Sequence, residues 1–239
     1  MKDDPFVTLR WERNVRVGNP AWRLIWKNET EFRIVFWKGL MVGLLTSQQK
    51  SGPGSSIGRL MGEDPDPIGY EICNQQNSAH DYIKEVLSDW GGIRFINRIP
   101  SFAHEGLDWL EGGGWAKLYQ KICKLAKDPS IDIERDTSDF LQKNIKGIGP
   151  KQARNVLQVI GITQFVVPID SRLTRWFDNY KVFSPPLATL DLSRNKSYEY
   201  AEGEIQKLCE RLNVLPCILD AAIFASSEAG EWSGETFYG

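Results

Sequence analysis

Residues Leu141 to Asp170 read LQKNIKGIGPKQARNVLQVIGITQFVVPID, in which a Gly-Ile-Gly turn joins two helical patterns. Phe140, Leu141 and Ile145 fall on one helical face, and Asp136, Thr137 or Ser138 is available to cap the helix that carries them. That helix is expected to run into Lys146. Gly147 and Gly149 then permit a tight turn with positive φ and a close approach of the backbone to another body, and Pro150 suits the first position of a second helix, where an amide hydrogen would be unpaired. Ala153, Val156, Leu157 and Ile160 form the apolar stripe of this second helix, and Gly161 stands where a left-handed terminating residue is expected. The unit is a helix, a hairpin and a helix.

A glycine hairpin opening a helix presents backbone N–H groups to an anion, a seat for a phosphate or for a monovalent cation that bridges to one. Between residues 141 and 175 there are six basic side chains, Lys143, Lys146, Lys151, Arg154, Arg172 and Arg175, against the single acid Asp170, whereas the whole chain carries −2. Basic charge is therefore concentrated at the hairpin, which suits DNA. A bare GxG with a basic face equally describes an ordinary helical turn with solvated lysines. The placement of Lys151 and Asp170 separates the two descriptions. Lys151 falls in the first turn of the second helix, where the positive end of the dipole lowers the basicity of an amine, as a Schiff-base nucleophile requires. Asp170 follows the apolar run Phe165 to Ile169 and precedes SRLTRWF, the position of a helix cap held in place and ionised.

The segment resembles the helix-hairpin-helix DNA glycosylase superfamily, which includes endonuclease III and the 8-oxoguanine DNA glycosylases. In that family a hairpin GVGxK or GIGxK is followed by an aspartate in a V/I-D-x-x-L/I context; here the matching residues are GIGPK and PIDSRL, with 19 residues from Lys151 to Asp170. The resemblance implies a mostly α, two-lobed fold with the active site in the cleft between the lobes. It implies that Lys151 attacks the sugar C1′, that Asp170 assists loss of the base, and that strand cleavage accompanies excision. Duplex contacts are then expected from Lys146, Gly147, Gly149, Arg154 and Arg172. Upstream, FWKGLMVGLLTSQQKSGPGSSIGRLM suggests a buried helix ending at TSQQ, a stretch that resembles the segment of endonuclease III whose glutamine fills the gap left by the expelled base. Gln48 is the matching residue, with Gln49 as the register alternative; a plain polar loop after a core helix is the other reading.

The carboxyl-terminal stretch LDAAIFASSEAGEWSGETFYG resembles the last helix of these glycosylases, which returns to the catalytic cleft. In the archaeal-type 8-oxoguanine branch, the chain ends soon after that helix with a lysine whose terminal carboxylate reads the base. This chain departs from that pattern, running on through Glu228, Glu231 and Glu235 to Gly239 without a basic residue. That departure argues against 8-oxoguanine itself, but a lysine-bearing hairpin without the iron–sulfur pattern resembles the oxidised-purine branch more than the pyrimidine branch. The expected substrate is therefore duplex DNA bearing a damaged or modified base, an oxidised purine first and a bulky modified base of viral DNA second. A module that binds DNA backbone without catalysis explains the glycines and the basic patch but not the lysine–aspartate spacing.

Composition agrees with this assignment and excludes several others. A chain of 239 residues that is 41% apolar can bury one large core or two small lobes. The apolar stretch Ile34 to Leu45 contains Lys38 and is too short to cross a bilayer, and MKDDPFVTLRWER lacks the apolar region of a signal peptide, so an intracellular protein, cytoplasmic or nucleoid, is expected. A pI of about 5.8 argues against general coating of nucleic acid, so DNA binding must come from a local patch and be salt-sensitive. Cys73, Cys123, Cys209 and Cys217 lack the close spacing of an iron–sulfur site, and no C-x-x-C pair occurs. No cofactor is expected beyond the candidate monovalent cation at the hairpin, and the protein is expected to act as a monomer.

Strand-like alternation is confined to Val7 to Val17, within residues 1–30, which are expected to form an arm or extra element ahead of a helical domain over 31–239. Helices are expected over Glu31 to Leu45, Ala79 to Trp90, Phe102 to Glu111, Ala116 to Ala126, the central pair, Ser171 to Tyr180, Lys196 to Leu212 and Pro216 to Ser227. The hairpin lobe should centre on 70–180, with the Pro/Gly/acidic stretch 52–69 as the hinge. Trp26, Phe36, Trp37, Trp176 and Trp232 are the aromatic candidates for stacking on an extruded base, Trp176 foremost because it lies on the helix that Asp170 starts; a Trp in a helical stripe is more often core.

Overall fold

The computed structural model describes residues 29–49, 51 and 54–229. The Val7 to Val17 strand candidate, Trp26 and Trp232 lie outside the described residues. Among the described residues eleven α-helices follow in order: α1 Glu29–Leu45, α2 Ser56–Gly62, α3 Tyr70–Asn74, α4 Ala79–Trp90, α5 Arg98–Trp109, α6 Trp115–Lys127, α7 Ile131–Asn144, α8 Pro150–Val159, α9 Ser171–Asn179, α10 Asn195–Leu212 and α11 Pro216–Ala229. A wide turn at Leu110–Gly114 joins α5 to α6, a short 3₁₀ turn occupies Leu187–Thr189, and the described residues contain no strand. The fold is all α.

Helix α1 is the central member because it is apolar nearly all round: Phe32, Phe36, Trp37 and every residue from Gly39 to Leu45 are buried. Its Gly39 and Gly43, one turn apart, let α8 approach closely. A Cβ at Gly39 would meet Ile160 at 3.2 Å, and one at Gly43 would meet Val156 at 3.2 Å and Ile148 at 3.5 Å. The hairpin is thus seated against the long apolar helix α1. Phe36 and Trp37, read as candidates for stacking on a base, are fully buried, and the Trp37 indole donates to the Ile68 carbonyl at 2.8 Å. They belong to the core, as a helix that is apolar on all faces requires.

Two hydrophobic clusters make up the core. One takes residues from Phe32 to Ile162, and the other takes Val167, Ile169, Leu173, Phe177, Leu187, Tyr198, Ala201, Ile205, Cys209 and Ile223. Along the chain, the two clusters part between Ile162 and Val167. Within 52–69, the expected hinge, Ser55 caps α2 through the Gly58 amide at 2.9 Å, and Ile57, Leu60, Met61 and Ile68 are buried in the first cluster. One helix of the hairpin unit also starts earlier than expected: Ser130 caps α7, while Thr137 and Ser138 bond back to the carbonyls of Ile133 at 2.7 Å and Glu134 at 2.9 Å. Those hydroxyls look like caps in sequence because the same groups serve a helix interior through this back-bonding.

Side chains on one face of α8 bind the two clusters together. Arg154 is 1% exposed and donates to Glu202 of α10 at 3.1 Å, with its guanidinium 4.7 Å from the Tyr198 ring. One turn on, Gln158 donates to the buried Asp220 of α11 at 2.7 Å, and Arg135 of α7 reaches the same Glu202 at 2.8 Å. Arg154 was expected on the DNA face. Its charge is instead buried with a partner, where the loss of either member would leave an uncompensated ion.

Candidate active site

The hairpin is built by backbone geometry as the sequence suggests, with one difference. Helix α7 ends at Ile145, Gly147 takes φ +83°, and Ile148 packs inward at 5% exposure. Gly149, expected to share the positive φ, is extended at φ −93° and ψ −175° and serves as the N-cap of α8, without a side chain to cover the first-turn amides. Pro150 follows at the first helical position. At the far end, Gly161 (φ +80°) closes α8 with two bonds, its own N–H to the Gln158 carbonyl at 3.0 Å and that of Ile162 to the Leu157 carbonyl at 3.2 Å. Lys151 is half-buried in the first turn of α8.

The two glycines therefore make different demands. A side chain at Gly147 would strain a left-handed backbone and drive into the Phe102 ring, whereas at Gly149 its nearest neighbour would be the end of Gln152 at 3.5 Å. Gly147→Ala is expected to lower stability by about 1–3 kcal/mol in thermal denaturation. Gly149→Ala should cost less than about 1 kcal/mol, the difference between Gly and Ala at an N-cap. The second variant is the usable probe of DNA approach. Its affinity for undamaged duplex should fall at matched salt, and unchanged affinity would place the phosphates away from the hairpin.

Beside the hairpin stand two loops. The TSQQ loop after α1 is linked to α8 by Gln152 Nε2 and Ser47 Oγ at 3.4 Å, and Gln48 takes φ +56° with its side chain exposed. The Gln49 side chain is committed, donating to the Leu45 carbonyl at 2.6 Å and accepting the Arg94 amide at 2.8 Å. Of the two registers, only Gln48 offers its amide outward. The loop before α5, absent from the sequence reading, holds this one in place: Arg94 Nη1 donates to the Gln48 carbonyl at 2.8 Å, and the ring of Phe95, at φ +61°, has the guanidiniums of Arg94 and Arg98 at 5.0 and 5.7 Å. Its sequence signal is GGIRFINR, two glycines ahead of a phenylalanine flanked by Arg94 and Arg98. Lys146 is exposed over the Phe102 ring and pairs with Glu105 at 2.8 Å, a surface contact weak enough to yield to a phosphate.

Asp170 is the N-cap of α9, as expected. Its Oδ1 accepts the amides of Arg172 at 2.9 Å and Leu173 at 3.0 Å, while Oδ2 accepts the Arg172 guanidinium at 3.1 and 2.9 Å. Arg172, expected on phosphate, is committed to the carboxylate and lies 4.2 Å over the Phe224 ring of α11. The last helix thus returns to the aspartate. Trp176 is half-buried between the rings of Phe177 and Tyr180, at 5.3 and 4.9 Å. A shallow groove of about 490 Å³ runs along another face of α9, from Ser171 to Asn179 and Leu192, and Trp176 is not in its lining. No three His, Cys, Asp or Glu side chains among the described residues are grouped to hold a metal ion. Cys73, Cys209 and Cys217 are buried, and burial pushes the Cys73 and Cys209 thiols up to about 12.

No family model matches the chain. Two relatives, the 8-oxoguanine DNA glycosylase/AP lyases of Sulfolobus acidocaldarius and Thermoplasma volcanium, are 27% identical over 139 residues (58% of this chain and 61% of the relative) and 23% identical over 131 residues (55% of each). The chain spans about three fifths or less of the length of these relatives. Over nearly the whole molecule, it superposes on the 8-oxoguanine DNA glycosylase of Thermotoga maritima with a TM-score of 0.64 at 19% identity, covering 96% of this chain and 92% of that one. The Methanocaldococcus jannaschii 8-oxoguanine glycosylase/lyase in complex with a 15mer DNA containing 8-oxoguanine gives 0.62 at 19% identity, covering 97% and 93%. The fold is that of the helix-hairpin-helix DNA glycosylases. In this glycosylase fold the hairpin, the Gln48 loop and the 91–98 loop belong to the first cluster, and Asp170 heads the first helix of the second. No helix among the described residues is long and apolar enough to cross a membrane.

Proposed function

We propose that the protein is a base-excision DNA glycosylase with AP lyase activity, acting on duplex DNA that carries a damaged or modified base, with an oxidised purine such as 8-oxoguanine favoured. The observation that carries this reading is a lysine in the first turn of the hairpin helix, followed by an aspartate that caps the next helix, in a chain shaped like enzymes named for that chemistry. The hairpin amides, with Lys146, bind the phosphate backbone and set the register. Extrusion of the target nucleotide costs a few kcal/mol, offset by backbone contacts, and the exposed Gln48 fills the gap.

Chemistry then uses two side chains. As the glycosidic bond lengthens, positive charge develops on the sugar, and the Asp170 carboxylate stabilises it. Lys151 Nζ bonds to C1′; the base leaves with the bonding pair and gains a proton, and opening of the sugar gives an imine. Loss of a C2′ proton and departure of the 3′ phosphate break the strand. Borohydride reduction with a panel of duplexes bearing 8-oxoguanine, other oxidised bases and bulky modified bases tests this reading. A covalent adduct is expected, strongest with an oxidised purine. Adduct with a bulky modified base alone would reassign the substrate, and no adduct with any duplex, an abasic one included, would leave a DNA-binding module without catalysis.

A further inference from the structure

The irregular backbone from Gln164 to Ile169 delivers Asp170 to the head of α9 without a sheet to hold it. Most of its amides are satisfied by side chains instead. Glu134, in the first turn of α7 and fully buried, accepts the Gln164 amide on Oε1 at 2.7 Å and those of Phe165 and Val166 on Oε2 at 2.9 and 2.7 Å. The Tyr198 hydroxyl accepts the Ile169 amide at 2.6 Å and donates to the Val167 carbonyl at 2.9 Å, and Gln206 donates to the Phe165 carbonyl at 2.5 Å. Pro168 has no amide to place.

A buried carboxylate is a costly device, worth keeping only where its oxygens are fully used. Burial pushes Glu134 up to about 8 despite three N–H donors, with Glu202 adding to the rise. An apolar residue of similar size would avoid that cost but leave three amides unsatisfied. The location gives the arrangement a second consequence. Glu134 lies at one end of α7, and the other end of the same helix runs into the hairpin that carries Lys151.

We propose that Glu134 is a positioning residue for Asp170, fixing the segment that carries the carboxylate against the helix that sets the hairpin; this rests on the reading of Asp170 as the carboxylate that assists base loss. Glu134→Gln keeps the shape but puts an NH2 group where an acceptor is needed. Amide exchange at 164–166 should accelerate about tenfold or more, reflecting lost hydrogen bonds. Single-turnover excision should fall about tenfold, whereas cleavage of a preformed abasic duplex, which starts after the base is gone, should stay within about twofold of wild type. General damage would lower both steps together. In an Asp170→Asn background, Glu134→Gln should cost nothing further, because its effect passes through the carboxylate already lost.

Wild-type exchange and excision in folded Glu134→Gln, equal losses in both steps, or an additive loss in the double variant would each overturn the inference. Should Glu134→Gln fail to fold, Tyr198→Phe removes the other anchor and gives the same readouts. A wild-type protein that excises no base from any duplex would instead overturn the proposed function, and the exchange measurement would still decide whether Glu134 holds the segment.

Discussion

Lys151→Gln is expected to abolish borohydride trapping and strand scission while leaving duplex affinity within about threefold of wild type. An imine requires an amine at that position, and a carboxamide of similar length cannot form one. Affinity should barely move because several phosphate contacts share the electrostatic term and one charge carries a small part of it. Stability should not suffer either. Lys151 lies in the first turn of α8, where a cation opposes the helix dipole, so its replacement by a neutral residue removes that unfavourable interaction, worth about 0.3–1 kcal/mol, and the variant should stay folded. A lost adduct together with an unchanged or slightly raised unfolding temperature separates a missing nucleophile from a damaged fold. Undiminished trapping in Lys151→Gln would mean that another amine is the nucleophile.

What the sequence made legible was local. The hairpin, the left-handed Gly161 and the Asp170 cap each follow from residues within one or two turns of one another, and the structure reproduces them with hydrogen bonds of 2.9–3.4 Å. Long-range partners were invisible. Arg154 looks like any basic residue on a DNA-facing helix until Glu202, 48 positions away, is seen beside it at 3.1 Å. Glu134 looks like a solvated acid in a charged helix start, and only the fold brings the three amides of 164–166 onto it. Trp37 shows the same limit from the apolar side, since a ring in a helical stripe can face a core or a cleft and the pattern alone does not say which. The stretch 52–69, expected as the hinge, shows the limit in its packing. Its glycines, prolines and serines mark chain reversals, and a reversal flanked by Ile57, Leu60 and Ile68 can be packed as firmly as a helix.

Asp170→Asn is expected to fold and to lose about a hundredfold or more of single-turnover excision, the scale on which preorganised charge acts at a reacting centre. The structure makes the separation of stability from chemistry sharp. Oδ1 takes the two capping amides, a task that an asparagine oxygen performs as well. Oδ2 takes the Arg172 guanidinium, a pair whose side chains are 31% and 15% exposed, and so of modest value. The combined loss should be about 1–2 kcal/mol, or a fall of a few degrees in unfolding temperature. Asp170→Ser supplies a second good cap without a carboxylate and should match Asp170→Asn in both respects. Cleavage of a preformed abasic duplex should decline far less in either variant, because Lys151 then meets a sugar from which the base has already gone. If the folded variants lose less than about tenfold in excision, a barrier change under ~1.4 kcal/mol, then Asp170 is a cap and nothing more. The charge that assists base loss would then have to come from another carboxylate near the hairpin.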